Sequence, residues 1–327
     1  MVMLGADEGS LSESPVARLY VAGAESNVAC GLAHLGQNVE WFGRVGSDPF
    51  GRRVRKSLNN RGVDISNVIS DAEHNTGVYF KEWSGGQSTI LYYRRESAAA
   101  HMTTLDFVGL GIERRRLCHV SGITIALSST CDAAMGDLLL RRDRGEAVIS
   151  FDVNYRSLLW PISIAAPRIF ELARRADILI VGRDEAESLW ATATPEAVRA
   201  LFPETPIVVV KDADIGATSF IGAESYFVPS LSVEVVEPIG AGDAFAAGFL
   251  SAWLDGSGPE SCLRLGHVMA AHVLGGVGDA PQLPLREKLI AISTVSEEDW
   301  ADIRLPRAQG ADPDRSPTVT YPDGVGV

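Results

Sequence analysis

The residues best suited to chemistry lie in one short turn, Gly240-Ala241-Gly242-Asp243. Residues 231–235 before it alternate apolar and polar side chains, which predicts a strand, and the apolar run 244–254 after it predicts a buried helix. Glycines allow the backbone to approach a ligand closely, and the first amides of a helix lack intrahelical partners, so the turn is suited to a phosphate with Asp243 as a base. Taken alone, a structural turn in which Asp243 caps the helix explains the same residues.

Common nucleotide-binding loops do not match this turn. It lacks the third glycine of a dinucleotide fingerprint or a protein-kinase loop at the required spacing. No Gly-x-x-x-x-Gly-Lys-Ser/Thr motif occurs anywhere in the chain. Any phosphate site here must therefore be of another kind.

Composition and charge limit the class of protein. The 327 residues are 46% hydrophobic, which provides a sizeable core for one large α/β domain or two small ones. The formal net charge of −13 argues against general nucleic-acid or anionic-membrane partners. Four scattered cysteines without metal-ligand spacing predict reduced core thiols and a cytoplasmic protein. Anionic substrates would need specific arginines to overcome the overall negative field.

The elements that must position the turn follow an alternating pattern. Strand-like runs at 39–42, 117–121, 147–153, 178–181 and 207–210 are separated by stretches of helical periodicity. This pattern predicts an α/β domain with a mostly parallel sheet. Residues 77–83 and 88–95 flank Ser84-Gly85-Gly86-Gln87 and predict an antiparallel hairpin, a candidate lid. Residues 296–327, rich in Pro, Asp and Gly, predict an irregular tail.

Three segments together resemble the ribokinase-like (PfkB) carbohydrate kinases. The turn at 240–243 looks like the family's signature, and 23–29 with 43–51 resemble its N-terminal signature. Asp152-Val153-Asn154-Tyr155-Arg156, with Tyr92-Tyr93-Arg94, is most similar to the family's kinases of 2-keto-3-deoxy sugar acids. The resemblance implies a three-layer αβα kinase domain over residues 1–295, with a small β lid from about 10–22 and 75–96.

The resemblance also implies catalytic and nucleotide roles. Asp243 would be the catalytic base, and Gly240, Ala241 and Gly242 would form an anion hole for the γ-phosphate of ATP. The implied nucleotide-binding residues are Lys211, Gly216, Gly240, Gly242 and Ala270, the last in an adenine wall at 268–273. The implied cofactors are ATP and Mg²⁺, with a monovalent cation as a further candidate. Glu185 would act indirectly on the metal; an acidic helix start is the alternative for this residue.

A sugar-acid pocket is implied for eight residues: Gly23, Asn27, Tyr79, Tyr92, Arg94, Ile123, Arg156 and Asp279. A substrate carboxylate needs a cation to replace its hydration, and the guanidinium fork provides one. A neutral sugar would leave two buried arginines without a partner, which is costly. The alternatives are a surface position for Arg94, a structural ion pair for Arg156, simple packing for the tyrosines and a turn for Asp279.

Three departures from the family pattern bear on these expectations. The family's first strand has no counterpart before Met1, so we expect a truncated start of the chain. Gly182 replaces the asparagine of the Asn-x-x-Glu motif. Ala213 stands where relatives have glycine, and the carboxylates of Asp212 and Asp214 would repel phosphates unless they point away. We therefore expect weakened nucleotide binding.

The sequence thus predicts an ATP-dependent kinase acting on the terminal hydroxyl of 2-keto-3-deoxygluconate, with a lid that closes over the sugar. Relatives pair through such lids, which implies a homo-oligomer. One alternative is a kinase of a neutral sugar such as fructose or ribose, and the pair Arg94 and Arg156 discriminates against it. The other is a degenerate, non-catalytic binder of sugar or nucleotide, for which Asp243 would serve no purpose.

Overall fold

The chain forms a central β-sheet with helices on both faces and a second, smaller sheet beside it. The computed structural model describes residues 1–6, 10–84, 87–140, 145–236, 238–276 and 283–305. The strands are β1 Val2–Ala6, β2 Ala17–Val21, β3 Arg44–Gly46, β4 Ile69–Asp71, β5 Val78–Ser84, β6 Gln87–Tyr93, β7 Leu117–Ser121, β8 Val148–Asp152, β9 Ile178–Gly182, β10 Ile207–Asp212, β11 Gly216–Ile221, β12 Glu224–Pro229, β13 Ser232–Val233 and β14 Arg304–Leu305. The helices are α1 Ala24–His34, α2 Pro49–Asn60, α3 Gly122–Ile125, α4 Ser129–Leu140, α5 Ile162–Ala173, α6 Arg183–Trp190, α7 Pro195–Leu201, α8 Ala241–Leu254, α9 Pro259–Leu274, α10 Arg286–Ser293 and α11 Glu297–Asp302.

The central sheet has the order β12-β11-β10-β9-β8-β7. The strands β7, β8, β9 and β10 are parallel, and β11 and β12 complete the sheet as antiparallel strands. The carboxyl ends of β8, β9 and β10 therefore meet at one edge, where open α/β sheets bind their ligands. The strand predicted at 231–235 is reduced to the two residues of β13.

Two hydrophobic cores cover the two faces of this sheet. Ile178 and Ile180 pack with α1, α8 and α9 on one face. Leu179 and Val181 pack with α4, α5 and α7 on the other. Because successive strand residues point to opposite faces, the continuous apolar run of β9 is buried on both sides. The predicted α/β class, with helix layers around a mostly parallel sheet, is confirmed.

The smaller sheet has the order β2-β1-β5-β6 and stands at the mouth of the cleft. Strands β5 and β6 form an antiparallel hairpin in which Tyr79 lies opposite Tyr92. Strand β1 pairs with β2 on one side and with β5 on the other, so this sheet also uses residues 2–6, ahead of the predicted lid segments. Val2, Met3 and Tyr79 are buried strand residues of this sheet, and Ala22, just after β2, packs with Met3 and Tyr79.

One edge of the central sheet is open in the described part of the chain. Strand β7 pairs with β8 and has no strand on its outer side. Residues 39–45 face it across a groove continuous with the main cleft, in a cavity of about 1750 Å³. The strand predicted at 39–42 is present only as one bridge between Glu40 and Asp64, and regular pairing begins at Arg44. A segment such as 39–42 that pairs on one side only is less regular than a central strand, because half of its backbone groups have no strand partner.

The C-terminal prediction needs correction. Ser296 caps α11 through the amide of Asp299, and Trp300 is buried against the α8–α9 layer. Strand β14 pairs with β13, so residues 296–305 are ordered parts of the domain rather than an irregular tail. Residues 306–327 lie outside the described range. None of the described helices has the length and apolar character needed to cross a membrane.

Candidate active site

The glycine turn lies where the carboxyl edge of the central sheet meets the start of α8. Gly240 has φ 84°, a left-handed conformation that favours glycine, and its carbonyl oxygen accepts the amide of Ala244. Helix α8 begins at Ala241, so the amides of Gly242 and Asp243 belong to its first turn. These amides and the positive end of the helix dipole provide an anion site.

Asp243 is buried directly behind this turn. Its Oδ2 accepts a hydrogen bond from Asn27 Nδ2 at 2.9 Å, and its Oδ1 accepts one from Asn154 Nδ2 at 3.3 Å. Burial raises the pKa of Asp243 to about 7, although the hydrogen bond from Asn27 acts in the opposite direction. A carboxylate with a pKa near neutrality is suited to accepting a proton at physiological pH.

A second set of charges surrounds Asp243. Lys211 Nζ lies 3.2 and 3.4 Å from the two carboxylate oxygens of Asp152. Burial alone would lower the pKa of Lys211, but Asp152 and Glu185 outweigh it and the pKa is raised. Glu185 accepts the amide of Gly182 at 2.9 Å and lies 3.6 Å from Arg156, while its burial raises its pKa. The site thus holds a network of opposite charges in little water.

Residues of the hairpin and just after it, among them several predicted sugar residues, line the cleft. Arg94 lies over the ring of Tyr92, with 4.6 Å between the guanidinium carbon and the ring centroid. Its Nε is buried without a hydrogen-bond partner, and burial lowers its pKa. Tyr79 is buried beneath it, with 5.6 Å between the rings of Tyr79 and Tyr92. Among the described residues, no carboxylate forms an ion pair with Arg94; Glu25 acts on its charge from a greater distance, and the Nη1 of Arg94 contacts Met1 Sδ at 3.9 Å.

Three other predicted sugar residues line the same cleft. Gly23 precedes α1 with φ 151°, a backbone conformation that favours glycine. Ile123 lies in the short helix α3. Arg156 is half-exposed, and its charge acts on both Arg94 and Asp243. Asp279, the eighth predicted residue, lies outside the described ranges.

Three of the predicted nucleotide residues, Gly240, Gly242 and Lys211, lie at the turn itself. Gly216, with φ 152°, and Ala270 both line the cleft. The expected repulsion from Asp212 is offset, because its carboxylate forms an ion pair with Arg183 at 2.7 Å. Ala213 has φ 43°, a strained value for a residue other than glycine, at the position where the sequence departs from the family pattern.

Sequence reasoning missed three residues of the site. Asn154 contacts the carboxylate of Asp243, and Asp152 holds Lys211. Glu25 accepts the hydroxyls of Ser121 and Thr124, both at 2.7 Å, and so connects α1 to α3. The available signal was position: Asp152 and Asn154 are polar residues at the end of an apolar strand, where parallel sheets place their ligand contacts.

With this geometry in place, the class of protein is defined: the chain belongs to the pfkB family of carbohydrate kinases, which matches residues 3–286. It is 35% identical to the 2-dehydro-3-deoxygluconokinase of Bacillus subtilis over 88% of this chain and 91% of that protein. It is 30% identical to a 5-dehydro-2-deoxygluconokinase of Lacticaseibacillus casei over 85% of this chain and 87% of that one.

A solved structure has the same fold. The crystal structure of a PfkB protein from Polaromonas sp. JS666 is 34% identical and aligns with a TM-score of 0.80 over 89% of this chain and 96% of that one. The predicted family, the ribokinase-like fold and the carbohydrate kinase class are confirmed. The protein therefore acts on a small-molecule sugar, with ATP expected as the phosphoryl donor.

Proposed function

We propose that the protein transfers the γ-phosphoryl group of ATP to the terminal hydroxyl of 2-keto-3-deoxygluconate and yields the 6-phosphate and ADP. The hydroxyl oxygen attacks the γ-phosphorus as the bond to the bridging oxygen of ADP breaks. Asp243 accepts the hydroxyl proton. The amides at the start of α8 bind the oxygens of the group in transfer, where each donor contributes roughly 10²–10³-fold in rate.

The observation that carries the sugar-acid assignment is the state of Arg94. A buried guanidinium with an unpartnered Nε costs free energy in the empty cleft, and a substrate carboxylate removes that cost. Arg156 adds a second positive charge on the same side of the cleft. Hydroxyl groups of a neutral sugar could accept hydrogen bonds but could not neutralise these charges.

The described residues could hold Mg²⁺ only indirectly. In the described part of the chain, no group of three acidic, histidine or cysteine side chains is arranged to hold a metal. Glu185 faces the cleft but is already engaged by Gly182 and Arg156. Mg²⁺ commonly keeps several waters and binds substrate phosphates, so Glu185 would hold it through water while the ion neutralises phosphate charge.

The test is an ATP-consumption assay with a panel of sugars. It contains 2-keto-3-deoxygluconate, 2-keto-3-deoxygalactonate, 5-keto-2-deoxygluconate, fructose and ribose. We expect 2-keto-3-deoxygluconate to have the highest kcat/KM. Arg94→Gln should raise the KM for the acid by about 10–100-fold, since a charge-assisted hydrogen bond is lost. Arg95→Gln, at the exposed neighbouring residue, is the matched control and should leave KM unchanged.

Other results of the panel would overturn parts of the proposal. Preference for the 5-keto acid would contradict the 2-keto assignment, and preference for fructose or ribose would remove the sugar-acid assignment. If an intact folded protein consumed ATP with none of the five sugars, the result would favour a non-catalytic role. An unchanged KM in Arg94→Gln would show that Arg94 does not bind the carboxylate.

A further inference from the structure

Asp152 and Lys211 form a buried ion pair behind the glycine turn. Asp152 is the last residue of β8. Lys211 is the next-to-last residue of β10, which lies two strands away in the sheet. Their side chains are 2% and 19% exposed. The ammonium contacts both carboxylate oxygens, which fixes its position more tightly than a single contact would.

Stability gives little reason for such a pair. Removing two charges from water costs more than their attraction returns in many proteins, and apolar residues of similar volume often do as well. Here the cost is increased because, in addition to burial, the charge of Asp152 acts against the charged forms of Glu185 and Asp243, and raises the pKa of both. A buried charge network at the carboxyl edge of a sheet is more readily explained by a ligand than by packing.

The position of Lys211 indicates which ligand. A methyl group added at Gly242 would lie 3.5 Å from Lys211 Nζ, so the ammonium is next to the second glycine of the turn. It therefore lies beside the first-turn amides of α8, which form the anion site. The neighbouring residue in β10, Asp212, pairs with Arg183 and does not compete for this ammonium.

The carboxylates near the glycine turn would repel a phosphoryl group unless a cation lies beside it. Asp152, Glu185 and Asp243 can together carry three negative charges, and a γ-phosphoryl group would add more. Lys211 is the cation next to the turn, whereas Arg156 is half-exposed and its charge also acts on Arg94. Without an ammonium held at Gly242, the protein groups nearest the phosphoryl group would be carboxylates and backbone amides, and its negative charge would be less well compensated.

We propose that Asp152 is a positioning residue: it holds Lys211 Nζ beside Gly242 so that the ammonium binds the phosphoryl group during its transfer. This inference rests on the proposed phosphoryl transfer but not on the identity of the sugar. Asp152 itself touches neither substrate. The carboxylate restrains the lysine rotamers, and the bound position then costs little conformational entropy on ligand binding.

The experiment measures nucleotide affinity by calorimetry, with ADP and with the non-hydrolysable ATP analogue AMP-PNP. The difference between the two ligands isolates the γ-phosphoryl group. We expect Lys211→Met to weaken AMP-PNP binding by about 10–100-fold and ADP binding by less than about threefold. Asp152→Asn should have the same pattern with a smaller effect, and Lys211→Arg should recover part of the loss because it keeps the charge.

Asp132→Asn is the matched control, because it removes a carboxylate from an ion pair with Arg168 remote from the cleft. It should leave both affinities unchanged. Asp152→Asn could lower the melting temperature and yet weaken the binding of ADP and AMP-PNP equally, or leave both affinities unchanged. In either case the pair is only structural and the proposal is wrong. Because no sugar is present, this result is independent of the sugar panel. A smaller difference between AMP-PNP and ADP affinity would support the role of Asp152 even if no sugar acid is phosphorylated.

Discussion

Asp243 combines burial with two amide donors, and these have opposite effects on its charge. Burial favours the neutral acid, while the hydrogen bond from Asn27 Nδ2 favours the carboxylate. The result is a pKa of about 7, whereas an ordinary aspartate remains charged down to pH 4. A base must be unprotonated to accept the hydroxyl proton, so the activity depends on pH in the physiological range.

We expect kcat/KM to be nearly constant from about one unit above pH 7 upward, to be halved at about pH 7, and to fall by roughly tenfold per unit at lower pH, where Asp243 is mostly protonated. Asn27→Ala removes a hydrogen bond that lowers this pKa, so the acid limb should move to higher pH. Asn60→Ala, at an exposed position at the end of α2, is the control and should not move it. Steady-state kinetics from pH 5 to 9 measure the limb.

The removal of the base is the complementary change. Asp243→Asn should lower kcat by about 10²–10⁴-fold and abolish the acid limb, because the amide cannot accept the proton. A variant that keeps the wild-type rate and the same limb would show that another group is the base. A wild-type limb near pH 4 would instead contradict the raised pKa.

At the scale of the elements, the position of the base depends on how closely α8 packs against α9. A methyl group at Gly248 would collide with the carbonyl oxygen of Leu265, and one at Gly266 would touch the ring of Phe245. The two helices therefore approach each other through glycines. Since α8 begins at the anion turn and carries Asp243, a shift of its axis displaces both groups together.

Gly248→Ala should therefore destabilise the protein by about 1–3 kcal/mol through overpacking, even though alanine is intrinsically the better helix residue. Gly258→Ala is the control: Gly258 precedes α9 with φ −67° and open space around its Cβ position, so its effect should stay within about 0.5 kcal/mol. Urea unfolding of both variants measures the free energies. Equal stability of Gly248→Ala and wild type would mean that the helices can separate without cost.

The local elements were predictable because their signals are local. The hairpin, the helix that follows the glycine turn and the apolar strands are visible as short periodic patterns. The contacts of the site were not, since Asn27 and Asp243 are 216 residues apart and Arg183 and Asp212 are 29 apart. The predicted repulsion from Asp212 illustrates this: the sequence shows it two residues from Asp214, but its partner in space is Arg183.

At the scale of the whole molecule, the chain has a net charge of −13 and a cleft that must attract anions. Three cations that line the cleft, Arg94, Arg156 and Lys211, come from the end of the small sheet, the loop after β8 and the central sheet. Each is buried or partly buried, where water screens it less than a surface charge. The charge of the ligand that the cleft can bind thus depends on where these few cations lie, and not on the net charge of the whole chain.

In the described part of the chain, the outer edge of β7 has no strand partner, and experiment can test this directly. On β7 only the amides that face β8 have strand partners, and the other amides face the groove opposite residues 39–45. Glu40 and Arg115 form an ion pair between residues 39–45 and the segment just before β7.

Native-state hydrogen exchange tests whether this edge is covered. In the 327-residue chain we expect the amides of β9, which has strands on both sides, to be protected throughout. On β7, alternate amides should exchange much faster, because unpaired edge groups open to water without breaking the sheet. Amides of β12, at the opposite edge, provide the internal comparison. Uniform protection along β7 would contradict an open edge and would show that another strand, from this chain or from a second copy, occupies the groove.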